Sequence, residues 1–383
     1  MSSEILILGG GFGGLEVATR LRSALDESFR ITLVDKKDFF SMGFTKFDLM
    51  FGRRQLEECK SYYSRLEERG IRFLQAEIVS IDPEAHQVET SAGALSADHL
   101  VVGLGVELAP QETPGFLESG GHTFYTIAGA QALSPILEDF TGGRIVISIF
   151  DKPYQCPPAP YEGAFQLHHL FADKEIRDQV QIDILIPGPK PLPVSDTVSQ
   201  QIEDLLSSMQ IGLHKKHKVV AVDSAAHEAI TADKHRVPFD LFIGVPLHRP
   251  PTVVRQSALG EKGWIRVDPA TMRTRFDRVW ALGDVVHIPV GELAVPKAGA
   301  FAEDAAATVA NDILRTIRGD GDVDAFRAQG ACYFEFGAGK VAKLEANFLE
   351  GDAPRVELNG PSLEFRPDKD DFERTRIEKW FGS

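Results

Sequence analysis

A glycine string that follows an apolar strand at the start of the chain constrains the fold most. Gly9, Gly11 and Gly14 have the spacing Gly-x-Gly-x-x-Gly and open a helical pattern. The first glycine allows a tight turn, the second lets a pyrophosphate approach, and the third lets helix and strand pack. A second strand over residues 30–34 ends at Asp35, where a carboxylate reaches ribose hydroxyls. This order predicts a dinucleotide-binding α/β unit.

Length and charge limit the remaining possibilities. A chain of 383 residues is long enough for two or three domains. Its net charge of −15 argues against a nucleic-acid partner, which usually requires basic patches. No apolar run is long enough to span a bilayer, and no basic segment precedes the first apolar run, as a signal peptide would require. We therefore predict a cytoplasmic protein.

The chain contains three cysteines, Cys59, Cys156 and Cys332. In a reducing compartment a pair of cysteines is more often catalytic or metal-binding than structural. Three widely spaced cysteines make a poor zinc site, so we predict no metal. Cys59 lies in a helical stretch, where a lone cysteine is usually inert.

A second strand-to-helix turn carries unusual residues. An apolar strand over residues 144–150 leads to a turn over residues 156–162, and a helical run starts at residue 164. Open α/β sheets bind ligands at such turns. Here the turn contains Cys156, three prolines and Glu162, and proline has no N–H to offer a phosphate. We predict that the turn holds a sulfur at the mouth of a site and that this unit binds no second dinucleotide.

Two further stretches bear on a cofactor. Residues 38–52 are rich in Phe, Met and Gly, and form either a core-packing loop or a wall beside a flat ring system. An apolar strand ends in Gly283-Asp284, which can place a carboxylate on sugar hydroxyls. Lys297 and Gly299 precede a helix whose N-terminal dipole can stabilise negative charge on a reduced cofactor. The alternative for Lys297 is a solvated surface lysine.

The predicted fold is α/β, with two Rossmann-like dinucleotide-binding domains and a small C-terminal α+β cap. The first domain comprises residues 1–110 and 241–318, and an apolar strand at 241–245 returns the chain to it. The second domain comprises residues 111–240 and carries the Cys-Pro turn. The cap comprises residues 319–383 and includes two strands joined by a glycine turn.

Several of these motifs occur in one order in flavoproteins with two dinucleotide-binding domains. They are the N-terminal glycine string, residues 281–284 and residues 296–299. Within that group, the segment Tyr-Gln-Cys-Pro-Pro-Ala-Pro-Tyr-Glu at 154–162 and the segment Gly-Ala-Cys-Tyr at 330–333 are more specific. They resemble the sulfide:quinone oxidoreductases and the flavoprotein subunit of flavocytochrome c sulfide dehydrogenase. The resemblance extends over nearly the whole chain.

The resemblance implies a cofactor, a site and an activity. FAD would occupy the first domain, and Cys156 and Cys332 would form a redox disulfide beside its ring, with Glu162 handling protons. The implied reaction oxidises sulfide, or a related small thiol or persulfide, and passes electrons through FAD to a quinone or a protein acceptor. The residues expected to bind FAD are Gly9, Gly11, Gly14, Asp35, Gly283, Asp284, Lys297 and Gly299.

The chain also departs from the family pattern. Many sulfide:quinone oxidoreductases carry a third cysteine near the position of residues 122–126, which contain none here. In this respect the chain is more similar to the flavocytochrome subunit, but it has no Cys-x-x-Cys-His for haem attachment. Two alternatives stay open: an enzyme resembling type II NADH dehydrogenase, and a non-enzymatic redox sensor that uses FAD structurally.

The C-terminal tail has an apolar edge among charged residues. Phe372, Ile377, Trp380 and Phe381 form that edge. We predict that the tail docks on the protein's own cap. The alternative is peripheral contact with the inner face of a membrane.

Overall fold

The described residues form two parallel β-sheets, three three-stranded antiparallel sheets and four two-stranded antiparallel pairs. The fold is described here from a computed structural model that covers residues 3–261, 263–321, 324–351 and 353–382. The α-helices in these ranges are α1 Phe12–Ala24, α2 Thr45–Met50, α3 Ile127–Asp139, α4 Ala159–Asp173, α5 Asp196–Ser208, α6 Thr252–Gln256, α7 Gly299–Arg318 and α8 Arg366–Phe381.

The strands of the described residues, in chain order, are β1 Ser3–Leu8, β2 Phe29–Asp35, β3 Phe39–Phe40, β4 Ser61–Tyr62, β5 Arg72–Gln75, β6 Ile78–Asp82, β7 Gln87–Thr90, β8 Gly93–Ser96, β9 His99–Val102, β10 Glu107–Ala109, β11 Gly143–Ile149, β12 Val180–Ile186, β13 Ile211–Lys215, β14 Val219–Asp223, β15 Glu228–Thr231, β16 Arg236–Pro238, β17 Leu241–Val245, β18 Leu247–Arg249, β19 Gly260–Glu261, β20 Trp264–Ile265, β21 Val279–Ala281, β22 Pro289–Val290, β23 Leu293–Ala294, β24 Gln329–Gly337, β25 Lys340–Asn347 and β26 Arg355–Ser362.

The first parallel sheet has the strand order β21-β9-β1-β2-β5. The apolar strand β1 lies at its centre, with β9 and β2 on either side in parallel register. Helices α1 and α7 pack against each other beside this sheet. Because strands of a parallel sheet are covered on both faces, the near-continuous apolar runs in the sequence follow directly. The predicted α/β class is confirmed.

The second parallel sheet has the order β13-β12-β11-β17. The strand β17, which we assigned to the return to the first unit, instead pairs with β11, so that assignment of the strand was wrong. All five residues of β17 are buried. The sequence of a fully buried strand is a continuous apolar run in either parallel sheet. It therefore does not show which strands lie beside it.

The helix after the Cys-Pro turn starts earlier than predicted. Helix α4 begins at Ala159 and includes Pro160 and Glu162 in its first turn. Proline is tolerated there because the first N–H groups of a helix have no intrahelical partner. The turn is therefore shorter than residues 156–162, and Glu162 lies on a helix with its side chain buried.

The sheet β24-β25-β26 is antiparallel. The pairing of β24 with β25 confirms the predicted strand pair and its glycine turn. Helix α8 follows this sheet and docks on the chain itself. Trp380 and Phe381 are buried, and Trp380 makes edge-on contacts with Phe12 and Phe40. The Trp380 indole donates to Glu16, 2.8 Å away. Trp380 and Phe381 therefore pack on α1 and β3, whereas Phe372 contacts Tyr333 of the antiparallel sheet, so the tail docks only partly on the cap.

Across residues 3–261, 263–321, 324–351 and 353–382, no helix has the length and apolar content that crossing a bilayer requires.

Gly14 and Gly11 provide a matched test of the glycine string. A Cβ on Gly14 would lie 1.9 Å from the Gly9 carbonyl oxygen, whereas one on Gly11 would meet nothing within 4 Å. We expect Gly14→Ala to destabilise the protein by roughly 1–3 kcal/mol, the usual cost of overpacking. Gly11→Ala should leave the melting temperature of the cofactor-free protein within about 1 °C of wild type, since surface changes are usually near neutral. Equal melting temperatures for the two variants, measured calorimetrically, would contradict this packing.

Candidate functional site

The Cys-Pro turn is fixed against the start of α7. The Cys156 N–H donates to the Lys297 carbonyl at 2.8 Å, and the Gln155 side chain donates to Asp284 at 2.5 Å. Cys156 has φ = +47°, a left-handed conformation that is uncommon for residues other than glycine. The backbone of the turn is therefore anchored at Gln155 and Cys156 to the segments that carry Asp284 and Lys297.

Most of the predicted site residues line one cavity of about 280 Å³. From the predicted set, this lining contains Gly11, Cys156, Glu162, Gly283, Asp284, Lys297, Gly299 and Cys332. Gly9, Gly14 and Asp35 do not line this cavity. Asp35 accepts from the Gly10 N–H at 2.7 Å and the Lys37 N–H at 2.9 Å, so its carboxylate braces the loop.

Cys156 and Cys332 reach the cavity from different elements. Cys156 precedes α4, and Cys332 lies on β24 opposite Leu344. Both are free thiols in this structure. Burial raises the pKa of the Cys156 thiol well above its usual value, and the neighbouring Cys332 and Glu162 raise it further. Burial, with a smaller contribution from Glu162, raises the pKa of Cys332 to about 11. Both thiols are therefore protonated at neutral pH.

Glu162 is a buried acid beside both sulfurs. Its carboxylate accepts from the Gln166 side chain at 3.2 Å and from the backbone N–H of Glu335 at 3.1 Å. Burial raises its pKa to about 8, although Lys369 and Arg53 act in the opposite direction. Glu162 is thus mostly protonated at pH 7 and loses its proton as the pH rises past about 8.

Lys297 is not the solvated lysine of the alternative interpretation. Its side chain is buried, its ammonium donates to the carbonyls of Asp284 and Val286, and it lies 3.6 Å from the centre of the Trp264 ring. Burial lowers its pKa to about 8. Held by these partners, Lys297 forms part of the cavity wall.

Lys46, whose positive charge acts on Cys156, was not predicted from the sequence. Lys46 lies on α2 and lines the cavity with Gly43, Phe44 and Phe47. Its positive charge lowers the pKa of Cys156 against the effect of burial, while its own pKa falls to about 8 because of burial. The only sequence signal was its place within residues 38–52. Phe40, Met42 and Met50 of that stretch are core residues, while Phe44 and Phe47 line the cavity.

The glycine loop at this cavity is suited to the phosphate groups of a dinucleotide. Gly11 leaves open space where a side chain would stand, and the N-terminus of α1 has no side-chain cap. Uncapped N–H groups at a helix start bind phosphate. At the other end, the buried Tyr125 hydroxyl lines the cavity and has no hydrogen-bond partner among the described residues. A buried polar atom of this kind calls for a ligand group.

Comparisons with known proteins agree with this geometry. Residues 3–147 match the family model for pyridine nucleotide-disulphide oxidoreductases, and residues 131–246 match the central part of the flavoprotein chain of flavocytochrome c sulfide dehydrogenase. The chain is 26% identical over 363 residues to a sulfide-quinone reductase of Aquifex aeolicus, covering 88% of this chain and 82% of that protein. It is 24% identical over 359 residues to a type II NADH:quinone oxidoreductase of Staphylococcus aureus, covering 83% of each.

A crystal structure of the Aquifex aeolicus sulfide:quinone oxidoreductase superposes with a TM-score of 0.86 at 21% identity, over 99% of this chain and 92% of that one. The chain is an FAD-dependent oxidoreductase with the fold of the pyridine nucleotide-disulphide oxidoreductases. Within that class the chain is similar to sulfide:quinone oxidoreductases over most of its length and, over residues 131–246, to the flavoprotein chain of flavocytochrome c sulfide dehydrogenase.

Removal of the Lys46 charge should slow the chemistry of Cys156. We expect Lys46→Met to raise the pKa of the Cys156 thiol, because a positive charge favours the thiolate. Alkylation of Cys156 at fixed pH, followed by mass spectrometry of the modified peptide, should then slow by roughly three- to tenfold, in proportion to the thiolate. The exposed Lys36 supplies the control variant Lys36→Met. Equal rates in both variants would exclude Lys46 as the compensating charge.

Proposed function

We propose that this flavoprotein oxidises sulfide, or a related small thiol or persulfide, through a redox couple of Cys156 and Cys332 and delivers the electrons by way of FAD to a quinone. The observation that carries the proposal is that two cysteines far apart in sequence line one cavity with Glu162 and the glycine loop. The likeness to sulfide:quinone oxidoreductases supports the choice of donor and acceptor.

The proposed chemistry begins with the two cysteines oxidised to a disulfide. Hydrosulfide attacks one sulfur, a new S–S bond forms, the old S–S bond breaks, and the second cysteine leaves as a thiolate. A second thiol or sulfide then takes the outer sulfur from the persulfide, which leaves two reduced cysteines. The substrate sulfur has lost two electrons, and the cysteine pair holds them.

Glu162 serves as the proton donor and acceptor in this proposal. The departing thiolate is basic, since burial raises the pKa of both cysteines. A carboxylic acid with a pKa of about 8 is protonated at pH 7 and can give its proton to that thiolate. When the disulfide forms again, the same carboxylate takes the proton back. The charge of Lys46 favours the attacking anion and the thiolate in the same space.

The chain's own residues define where FAD would bind. Gly11 and the α1 N-terminus would face its pyrophosphate, and Asp284 would face hydroxyls of its chain. Bound FAD supplies the two-electron step between the cysteine pair and the acceptor. Cys156 and Cys332 would approach its ring from the turn and from β24.

A second cavity supports a quinone as the acceptor. It measures about 610 Å³ and is lined largely by apolar side chains, including Leu293, Leu344 and Phe348. Cys332 and Lys297 line both cavities. Pockets of 300–1,000 Å³ with apolar walls hold ligands of quinone size, whereas hydrosulfide needs far less space. Because quinones dissolve in membranes, a quinone acceptor would require peripheral membrane contact, which was the alternative interpretation of the C-terminal tail.

NADH is a weaker candidate for the donor. The Staphylococcus aureus relative acts on NADH, but the strand-to-helix turn after β11 carries prolines here in place of glycines. Such a turn offers a pyrophosphate few backbone donors. Anaerobic titration of the flavin with NADH separates the two donors.

Cys156→Ser tests the sulfur chemistry. The anaerobic wild-type protein should lose its yellow colour on addition of sulfide, because the electrons reduce the flavin. In Cys156→Ser we expect this bleaching to slow by about 100-fold or more, as when one member of a catalytic unit is removed. Cys59→Ser is the matched control, since Cys59 is buried and lies outside the cavity lining. Bleaching of Cys156→Ser at the wild-type rate would refute the disulfide mechanism.

Leu293→Asp tests the acceptor cavity. Leu293 lines the larger cavity and is 39% exposed, so a charge there should spare the fold. We expect the KM for a short-chain quinone to rise by about tenfold, because an unpaired carboxylate makes the wall polar, while bleaching by sulfide stays unchanged. Leu117→Asp, at a residue 51% exposed elsewhere, is the control. A quinone KM that is the same in both variants would place the quinone elsewhere.

A further inference from the structure

A connected set of charged side chains lies directly behind Glu162. The Gln166 amide that donates to Glu162 accepts in turn from Arg53 at 2.7 Å. Arg53 also pairs with Glu335, whose carboxylate oxygen is 2.9 Å away. The backbone N–H of Glu335 donates to Glu162, so the network begins and ends on one carboxyl group.

The C-terminal helix closes this network. The Lys369 ammonium is buried and bonds to the Glu335 carboxylate, and Arg366 reaches the same oxygen at 3.1 Å. Lys369 also lies 4.5 Å from the centre of the Phe44 ring, whose residue lines the cofactor cavity. A buried lysine without a partner would be costly, so Lys369 and Glu335 hold each other in place.

Other contacts fix α8 relative to the body of the protein. Lys379 and Trp380 bond to the buried Glu16 of α1, and Arg376 pairs with Glu303 of α7 at 2.7 Å. Lys369 is therefore presented from a helix that is anchored at its far end. Its distance from Glu162 is set by packing rather than by a flexible side chain on a loop.

We propose that Lys369 and Glu335 are positioning residues through which the C-terminal helix fixes the protonation state of Glu162 beside the two cysteines. This inference rests on the proposed function for the role of Glu162 in turnover. Lys369 does not touch the cavity's reacting groups, and it acts through the Glu335 carboxylate and through its own charge.

The charges around Glu162 predict shifts of opposite sign in the pH at which its carboxyl group ionises, depending on which charge is removed. The titratable groups that face Glu162 from the surrounding elements are Arg53, Tyr125, Cys156, Cys332, Glu335 and Lys369. The tyrosine and the two thiols are neutral near pH 7, since burial raises the pKa of each. Lys369 and Arg53 favour the Glu162 carboxylate, and Glu335 opposes it. Loss of Lys369 should therefore delay the ionisation of Glu162, and loss of the Glu335 charge should advance it.

The test measures the ionisation of Glu162 directly. The infrared band of a protonated carboxyl group, assigned as the one lost in Glu162→Gln, is followed with pH in the reduced protein with FAD bound. In Lys369→Met the midpoint should move to higher pH by about one pH unit, and in Glu335→Gln to lower pH by a similar amount. Lys369→Arg keeps the positive charge and should restore the wild-type midpoint.

Lys379→Met is the matched control on the same helix. It removes the contact with Glu16 at the far end of α8 and should lower the melting temperature without moving the Glu162 midpoint. Shifts of the same sign in Lys369→Met and Glu335→Gln, or no shift in either, would overturn the proposal. If Lys369→Met does not fold, Glu335→Gln alone decides by the sign of its shift.

Different results would contradict the proposed function and the proposed role of Lys369 and Glu335. A wild-type protein that sulfide does not bleach contradicts the proposed function, whatever the infrared midpoints are. An ionisation midpoint of Glu162 that is the same in wild type and in Lys369→Met contradicts the role of the network, even where sulfide bleaches the flavin normally.

Discussion

The placement of the site depends on the hydrogen bond between the Cys156 N–H and the carbonyl of Lys297. It joins the turn after β11 to the start of α7, so it ties the second sheet to the first. The neighbouring bond from Gln155 to Asp284 supports the same junction. Because Cys156 has a left-handed backbone, its side chain leaves the turn in a direction that the junction sets. The position of the Cys156 sulfur therefore depends on how the two parallel sheets are joined.

Buried acids in this protein divide into two kinds. Glu16 and Glu335 are buried, but the cations that bond to them keep their pKa values below the usual range in spite of burial. They act as fixed charges that anchor α8 and the cap. Glu162 is equally buried, and its hydrogen bonds come from a neutral amide and a backbone N–H. Burial therefore prevails, and its pKa rises to about 8. The difference lies in whether a cation makes direct contact.

The sequence predicted local relations well and distant ones poorly. The glycine string was readable because one strand, one turn and one helix follow each other in the chain. The strand that pairs with β17 could not be predicted, since a fully buried strand is apolar throughout, whichever strands lie beside it. Lys46 was missed because helix α2 and the Cys-Pro turn, which bring it near Cys156, lie about a hundred residues apart in the chain. The meeting of Cys156 with Cys332 came from a family resemblance, and no pattern within the chain could have supplied it.

The two cavities share Cys332 and Lys297, yet Glu162 lines only the smaller one. In the proposed reaction this separates two demands with opposite physical requirements. Proton exchange needs a polar, charge-tuned carboxyl group, which the network behind Glu162 provides. Binding of an apolar acceptor needs a surface without unpaired charge. If both took place in one chamber, the acceptor would have to desolvate the acid. Cys332 on β24 lies in the wall that the two cavities share, whereas the charged groups that tune Glu162 lie behind the smaller cavity and do not face an apolar acceptor in the larger one.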